Sequence, residues 1–352
     1  MVKPPVICRK ESAPAEISAK RNWKERGDLR WKGMQPQGEQ QVTFFDWAVA
    51  QRTVSNQVLE KINALVDLSE AERCLEATYS RLGRPSHRAS VMLRVMLLQH
   101  LYGLSDPQAE EQLADRYSFQ KFVGLMSNEP VPDETCICRF RQRMIDCQLQ
   151  NRLLQILNSQ LEAAGYLVKR TTLVDATLIE SSRKRPDHQV ALDGKAPDRD
   201  ARYTRKGNQR YYGYKAHVSA DGDNQLVCHA KITPANVDDS LVFAELIDGP
   251  TRAVYADKIY DNRKNRDYLA GRGIANGILK KSGKYLKLTV EEHERNGRRG
   301  IKRRLIERVF AHFKKWQHYR YVRYLGLAKN QLELTLKAVT YNLRRLVTLA
   351  TA

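Results

Sequence analysis

An all-α domain followed by a mixed-sheet α/β domain is the fold class the sequence predicts, on three observations. Apolar residues recur at helical spacing from Phe44 to about Tyr166. After Lys169 the pattern changes to short β-branched runs separated by turn signals and further helical segments. A chain of 352 residues, 42% of them hydrophobic, has the material for more than one domain and a sizeable core. The expected division is a flexible basic arm over residues 1–42, a helical domain over 43–166 and an α/β domain over 167–352.

The arm carries nine Lys/Arg against five Asp/Glu and shows no hydrophobic period, which predicts a mobile segment. In the helical domain, Val91, Leu93, Val95, Met96, Leu97, Leu98 and Leu101 follow Ser90, and Gly103 supplies a stop. Ser105, three residues before Gln108 with Pro107 between them, predicts a capping-box start for a helix to about Arg116. A third helix begins after Pro132-Asp133 and carries Arg139, Arg141, Gln142 and Arg143. A fourth, with Leu149, Leu153, Ile156, Leu157 and Leu161, ends near Gly165. The unit has helix-turn-helix character.

In the second half, RTTLVDATLIES reads as a strand. GYKAHVSA and QLVCHAKITP read as a hairpin turning at Asp221-Gly222-Asp223-Asn224. A short helix from about Asp238 to Ile247 leads to the strand TRAVYAD, and one from about Asn262 to Ala270 leads to IANGILKK. A long basic helix is expected from about Arg298 to Trp316, and an amphipathic one from about Gln331 to Leu349. Helices alternating with strands predict a mixed sheet covered on its faces. The connection Ser181–Lys215 holds ten Lys/Arg against four Asp and is too long for a hairpin loop.

Sixty Lys/Arg against 40 Asp/Glu give a formal charge of +20, which biases partners towards polyanions. The longest apolar stretch, Val91 to Leu104, is broken by Arg94, Gln99 and His100, which excludes a membrane span there. With no apolar leader, a cytoplasmic protein is expected. The cysteines at 8, 74, 136, 138, 147 and 228 match no zinc or disulfide spacing and read as reduced small hydrophobes.

Three carboxylates stand out. Asp175 interrupts the apolar run Leu173-Val174-Asp175-Ala176, where a charge costs several kcal/mol unless compensated. Asp257 ends the strand Ala253-Val254-Tyr255-Ala256, and strand tips are where open α/β sheets hold ligands. Glu307 is the one acid among eleven Lys/Arg between Arg295 and Arg323, four residues after Arg303 and seven before Lys314. The repeat Ile301, Leu305, Val309, Phe313, Trp316 predicts a buried stripe with Glu307 off it. Taken alone, Asp175 and Asp257 are better explained by structural ion pairs, and Glu307 at least as well by pairing with its basic neighbours. Together, hard oxygen ligands on two strands and a helix suit a pair of Mg2+ or Mn2+ ions, which would clamp the attacking and leaving oxygens of a phosphodiester.

The segments PDETCICRFRQRM, VDATLIES, GYKAHV and VYADKIYD, with Arg303-x3-Glu307-x6-Lys314, resemble the bacterial insertion-sequence transposases of the DDE class, in the group usually labelled IS-five. The resemblance covers about residues 42 to 346. It implies a helical DNA-binding domain followed by a ribonuclease-H-like catalytic domain. Asp175, Asp257 and Glu307 become the catalytic and metal-binding acids, with two Mg2+ as cofactors and Mn2+ as substitute. It also implies metal-dependent cleavage at terminal inverted repeats, and attack of the freed 3′-OH on target DNA, by a homodimer in the synaptic complex. That work belongs to the nucleoid of a bacterial cytoplasm. The family's tyrosine before the helix arginine is replaced by Gly300, and Ile259 stands where a small residue commonly precedes Tyr260.

Arg303 and Lys314 are then expected to touch DNA backbone. Lys215 and His217, two apart on a strand and so on one face, are candidate phosphate contacts, and an ordinarily packed histidine is the competing reading. Arg139, Arg141 and Arg143 could enter a groove, lie on phosphates or form a solvated basic face. The rival functions are a helix-turn-helix DNA-binding protein, an inactive transposase copy, and a nuclease without strand transfer.

Overall fold

The computed structural model describes residues 56–79, 86–126, 128–183, 196–247, 249–283 and 287–351. All lie within the compact unit Gln40–Ala352. The expected arm and the start of the helical pattern at Phe44 fall outside the described residues.

The helical half runs through α1 (Gln57–Leu65), α2 (Ser69–Glu76), α3 (Ala89–Tyr102), α4 (Asp106–Asp115), α5 (Tyr117–Val123), α6 (Glu134–Asp146) and α7 (Leu149–Ala163). Its ends are set by local chemistry. Gly103 terminates α3 in a left-handed conformation (φ +70°) that costs glycine little. Ser105 and Gln108 form the reciprocal capping box of α4, and Asp133 accepts from Cys136 N to start α6. α3 is buried around nearly its whole circumference, from Val91 to Leu101, and forms the hub of the bundle. The cysteines at 74, 136, 138, 147 and 228 are free thiols.

The sheet is built from β1 (Thr171–Glu180), β2 (Arg202–Lys206), β3 (Gln209–Asp221), β4 (Val227–Pro234), β5 (Ala253–Ala256) and β6 (Ala275–Asn276). β3 pairs antiparallel with β1 on one edge and with β4 on the other, while β5 and β6 add in parallel beyond β1. This order, β4-β3-β1-β5-β6, is the ribonuclease-H-like arrangement. β2 is an addition the sequence reading missed. It pairs with the first residues of β3 on the edge that β4 takes over further on, because Gly213 faces Glu180 of β1 and Arg202 of β2 at once.

Three expected elements differ. The helix expected over Asp238–Ile247 is two 3-10 turns, Asp239–Leu241 and Phe243–Leu246. The run IANGILKK gives only two residues of ladder, Ala275–Asn276. The basic helix starts earlier, at Val290, with a Thr289–Glu292 capping box, and is split into α9 (Val290–Arg303) and α10 (Glu307–Lys315) by a 3-10 turn at Arg304–Ile306. That turn resets the helical phase. Of the expected stripe, Val309 and Phe313 are buried and Leu305 is partly buried, whereas Ile301 and Trp316 are exposed and Ile306 and Phe310 complete the buried side in their place. α8 (Arg263–Gly271) covers the β5–β6 region, and α11 (Leu327–Thr351) closes the chain.

One continuous apolar core joins α3, α7, one sheet face and α11, so the helical half and the sheet share their packing. Polar clasps reinforce the joint. Asn158 Nδ2 donates to Val227 O (3.0 Å), and Asn342 Nδ2 donates to Asn158 Oδ1 (3.0 Å). Arg323 and Arg344 donate to Leu104 O and Leu101 O (both 2.6 Å), satisfying carbonyls at the end of α3. A smaller core on the opposite sheet face gathers Val174, Phe243, Val254, Tyr260 and Leu269.

Burial gives this fold a pH signature. His217 and His312 are each held down to about 4, chiefly by desolvation. Between pH 6.5 and 4 the unfolded chain takes up these protons while the folded chain does not, so stability falls as pH falls. Asp175, raised by burial to about 6, works in the opposite sense below that pH. Replacing His217 with glutamine isolates one share. The destabilisation between pH 7 and 5, read from urea midpoints, should be shallower in His217→Gln by on the order of 1–2 kcal/mol. An identical pH slope would contradict a buried neutral His217.

Candidate active site

The parallel register pairs Val174 with Ala256, so Asp175 and Asp257 are the residues that follow the last paired positions of β1 and β5. Glu307, the first residue of α10, approaches from above the same sheet face. Arg303, in the last turn of α9, links the acids. Its Nη2 donates to Asp175 Oδ2 (2.5 Å) and its Nη1 to Glu307 Oε1 (2.9 Å). One guanidinium thus spans two carboxylates 132 residues apart in sequence.

The electrostatics are uneven. The Asp175 side chain is mostly buried, whereas that of Glu307 is 56% exposed. Desolvation raises the Asp175 carboxyl to about 6, the Arg303 guanidinium and the Ala176 amide (2.9 Å) pull it back, and nearby Asp257 pushes it up. Beneath the acids lies the Tyr260 phenol, fully buried, whose hydroxyl finds no hydrogen-bond partner among the described residues. Burial together with Asp175, Asp239 and Asp257 drives its pKa well up, so it stays protonated. Sequence reasoning missed Tyr260 as a neighbour of all three aspartates. It also missed Arg299, which donates to Asn276 O (2.7 Å) and Ile278 O (2.8 Å) and ties α9 to the β6 strand. No local motif marks either role.

The acids are all hard oxygen donors, and the most buried of them is incompletely neutralised by its surroundings. That donor chemistry fits a divalent cation. The set is not closed, however. Among the described residues no three His, Cys, Asp or Glu are gathered to hold a metal, because Arg303 stands between Asp175 and Glu307.

The other expected site residues divide. Lys314, half-buried on α10, lies close enough to feel Asp175 as well as Lys206 and Arg320. Lys215 and His217 do share a face, but not the face of the acids. Opposed residues of an antiparallel pair lie on the same side, which groups them with Leu178 and Ala176 and groups Asp175 with Val218. Lys215 Nζ instead meets Asp239 Oδ1 (2.8 Å) and donates to Val237 O (2.8 Å). His217 is fully buried with Nε2 against Thr233 Oγ1 (2.8 Å), so its expected phosphate contact is corrected to a packed, hydrogen-bonded core histidine. Arg141 is likewise corrected. It is buried, ion-paired to Asp106 (2.5 Å) and stacked 4.4 Å from the Tyr324 ring centroid, which leaves no guanidinium for DNA. Arg143 lies 4.0 Å over Tyr79, and Arg139 is exposed. Ile259 is also exposed.

Two family models match the chain. One, described as a transposase domain (DUF772), covers residues 48–143, and the other, described as a transposase DDE domain, covers residues 166–343. Among solved structures, the chain is similar to the catalytic core domain of BIV integrase. The identity is 12%, over 48% of this chain and 81% of that one, with a TM-score of 0.22. It is also similar to piggyBac transposase in a synaptic complex with hairpin DNA. The identity there is 8%, over 84% of this chain and 74% of that one, with a TM-score of 0.39.

Proposed function

The chain belongs to the DDE transposases, and from that premise we propose that it cuts DNA at the terminal inverted repeats of an insertion sequence and joins the freed 3′ ends to target DNA. The observation that carries this reading is the Arg303 fork, which holds Asp175 and Glu307 together above the strand tip that bears Asp257. Such a grouping on the central strand of the sheet gathers the residue types that phosphoryl transfer uses.

Membership of this family implies a divalent metal. We assign Asp175, Asp257 and Glu307 as its ligands and two Mg2+ as the ions, with Mn2+ as substitute. When bound, the ions supply charge neutralisation at the attacking and leaving oxygens of the phosphodiester. The chain's own residues do the rest. Arg303, already forked between two acids, keeps α9 and α10 in register with β1 and presents a cation beside the scissile phosphate. Lys314 holds a neighbouring phosphate as a point charge. Tyr260, buried and protonated, fills the floor below the aspartates and keeps water from it.

The helical half, about residues 43–166, is assigned to reading the element's ends, with Arg139 and Arg143 the arginines of α6 left to meet DNA. The sheet half, from about 167, is assigned to catalysis. The finer placement in the IS-five group rests on the motif resemblance, as does a homodimer in the synaptic complex. The working compartment is the bacterial cytoplasm, at the nucleoid.

Purified full-length chain, its own element ends, Mg2+ and a supercoiled target test the reading together. Joined products are expected. Cut ends without joining would reduce the chain to a nuclease, and bound but intact DNA would reduce it to a DNA-binding protein or an inactive copy.

A further inference from the structure

The long basic connection between β1 and β3 ends in an ordered device that the catalytic reading does not use. Its base is bolted down by two aspartates. Asp198 is wholly buried and accepts from the Tyr214 hydroxyl (2.6 Å), and Asp200 accepts from Leu327 N (2.8 Å) at the start of α11. Above this base β2 and the first residues of β3 form a hairpin, with Lys206 opposite Gln209 across the turn. The rings of Tyr203 and Tyr212 pack 5.0 Å apart within it. Gly213 is required where the hairpin leaves β1, since a Cβ there would lie 2.3 Å from Ile179 O. The hairpin is a fixed extension of the sheet.

Its charge is one-sided. From residue 201 to 220 the sequence has no Asp or Glu, while Arg202, Arg205 and Lys206 are exposed. Arg205 Nε donates to Gly207 O within its own turn (2.9 Å), and Arg202 Nη1 donates to the backbone carbonyls of Arg199 and Ala201. Among the described residues neither arginine pairs with a carboxylate.

Two further cations join this strip. Arg320 is exposed, and its carbonyl accepts from Glu180 N (3.0 Å) at the end of β1. Lys314 on α10 is held below the ordinary lysine range by burial, then by Lys206 and Arg320, while Asp175 draws it back. By the register that groups Asp175 with Val218, Arg205, opposite Arg210, is on the Asp175 side of the sheet, Lys206, opposite Gln209, stands next to it at the turn, and Arg320 adjoins the end of β1 through the Glu180 bond. Like charges collected on rigid supports cost folding energy, and a polyanion repays it.

We propose that the β2–β3 hairpin is a DNA-backbone arm, in which Arg205 and Lys206, with Arg320, continue the phosphate track from Lys314 and hold the duplex that flanks the cleavage site. The hairpin offers phosphate contacts and no base-reading element in a groove, so it holds sequence-independently. The inference rests on the transposase reading for the identity of the polyanion.

The test is fluorescence anisotropy of the full-length chain with a labelled duplex carrying an element end and with a scrambled duplex, over a salt series without divalent metal. The triple variant Arg205→Ala/Lys206→Ala/Arg320→Ala should flatten the slope of log affinity against log salt by up to about 2.7, at about 0.9 per contact. Both duplexes should weaken alike. The charge-keeping variant Arg205→Lys/Lys206→Arg/Arg320→Lys should retain the slope. A steep wild-type slope that the triple alanine variant leaves unchanged overturns the arm, as does equal loss in the charge-keeping variant, which would mean a structural effect. A wild-type chain that binds neither duplex overturns the transposase reading and the arm with it.

Discussion

Asp175→Asn, Asp257→Asn and Glu307→Gln should each lower strand cleavage by at least about a thousandfold, equivalent to about 4 kcal/mol of barrier, while the element's ends remain bound. Each change removes a negative charge and keeps the shape, so the fold has little to lose. At Asp175 the amide even relieves the desolvation that pushes the carboxyl up to about 6, and Arg303 keeps Glu307 as a partner. Binding should hold because fewer negative charges then face the phosphates. Labelled duplex ends resolved on a denaturing gel measure cleavage, and a gel shift measures binding. A variant that cleaves within tenfold of the unaltered chain removes that residue from the site. Mn2+ should restore what Mg2+ supports, and Ca2+, larger and looser in geometry, should permit binding with little chemistry.

A fragment ending at Gly165 should fail to fold, although the sequence alone presents the helical half as a separate unit. The reason is α11. Leu332, Leu334, Leu336, Val339, Leu343 and Leu346 are all buried, and the helix packs on α3 and α7 as well as on β4. Burying such side chains is worth about 1.5–3 kcal/mol each, so even a share of the six rivals the roughly 5–15 kcal/mol that holds a domain folded. The fragment also loses Arg323 and Arg344 from the carbonyls at the end of α3. A loss of cooperative urea unfolding, followed by circular dichroism, is expected. A monomeric fragment with a sharp transition would contradict the shared core.

Much of this was legible in the sequence because the signals were local. The Ser105–Gln108 capping box, the Gly103 stop and the Asp221–Asn224 turn each specify their geometry within a few residues, and each forms as read. Asp175 and Asp257 were legible because a carboxylate in a short apolar strand is anomalous wherever the strand goes. The start of α9 is also written locally, in the Thr289–Glu292 capping box, ahead of the basic run from Arg295. Other features depend on tertiary structure. Residues two apart on β3 share a face, yet which face meets the acids is fixed by pairing with β1, and this misled the reading of Lys215 and His217. Arg141 has a surface composition around it, yet it is buried against a partner, Asp106, that lies 35 residues away. The 3-10 turn at Arg304–Ile306 shifts the helical phase by an amount that no residue spacing announces.

The central claim is that Asp175, Asp257 and Glu307 form one metal site, with Arg303 bonded to two of its acids. Calorimetric titration of Mn2+ into the full-length chain, with an uncleavable end duplex bound, tests it most directly. The account predicts two bound ions in the unaltered chain and a clear loss of affinity or stoichiometry in each of Asp175→Asn, Asp257→Asn and Glu307→Gln. Undiminished binding of both ions in any one of the three would contradict it.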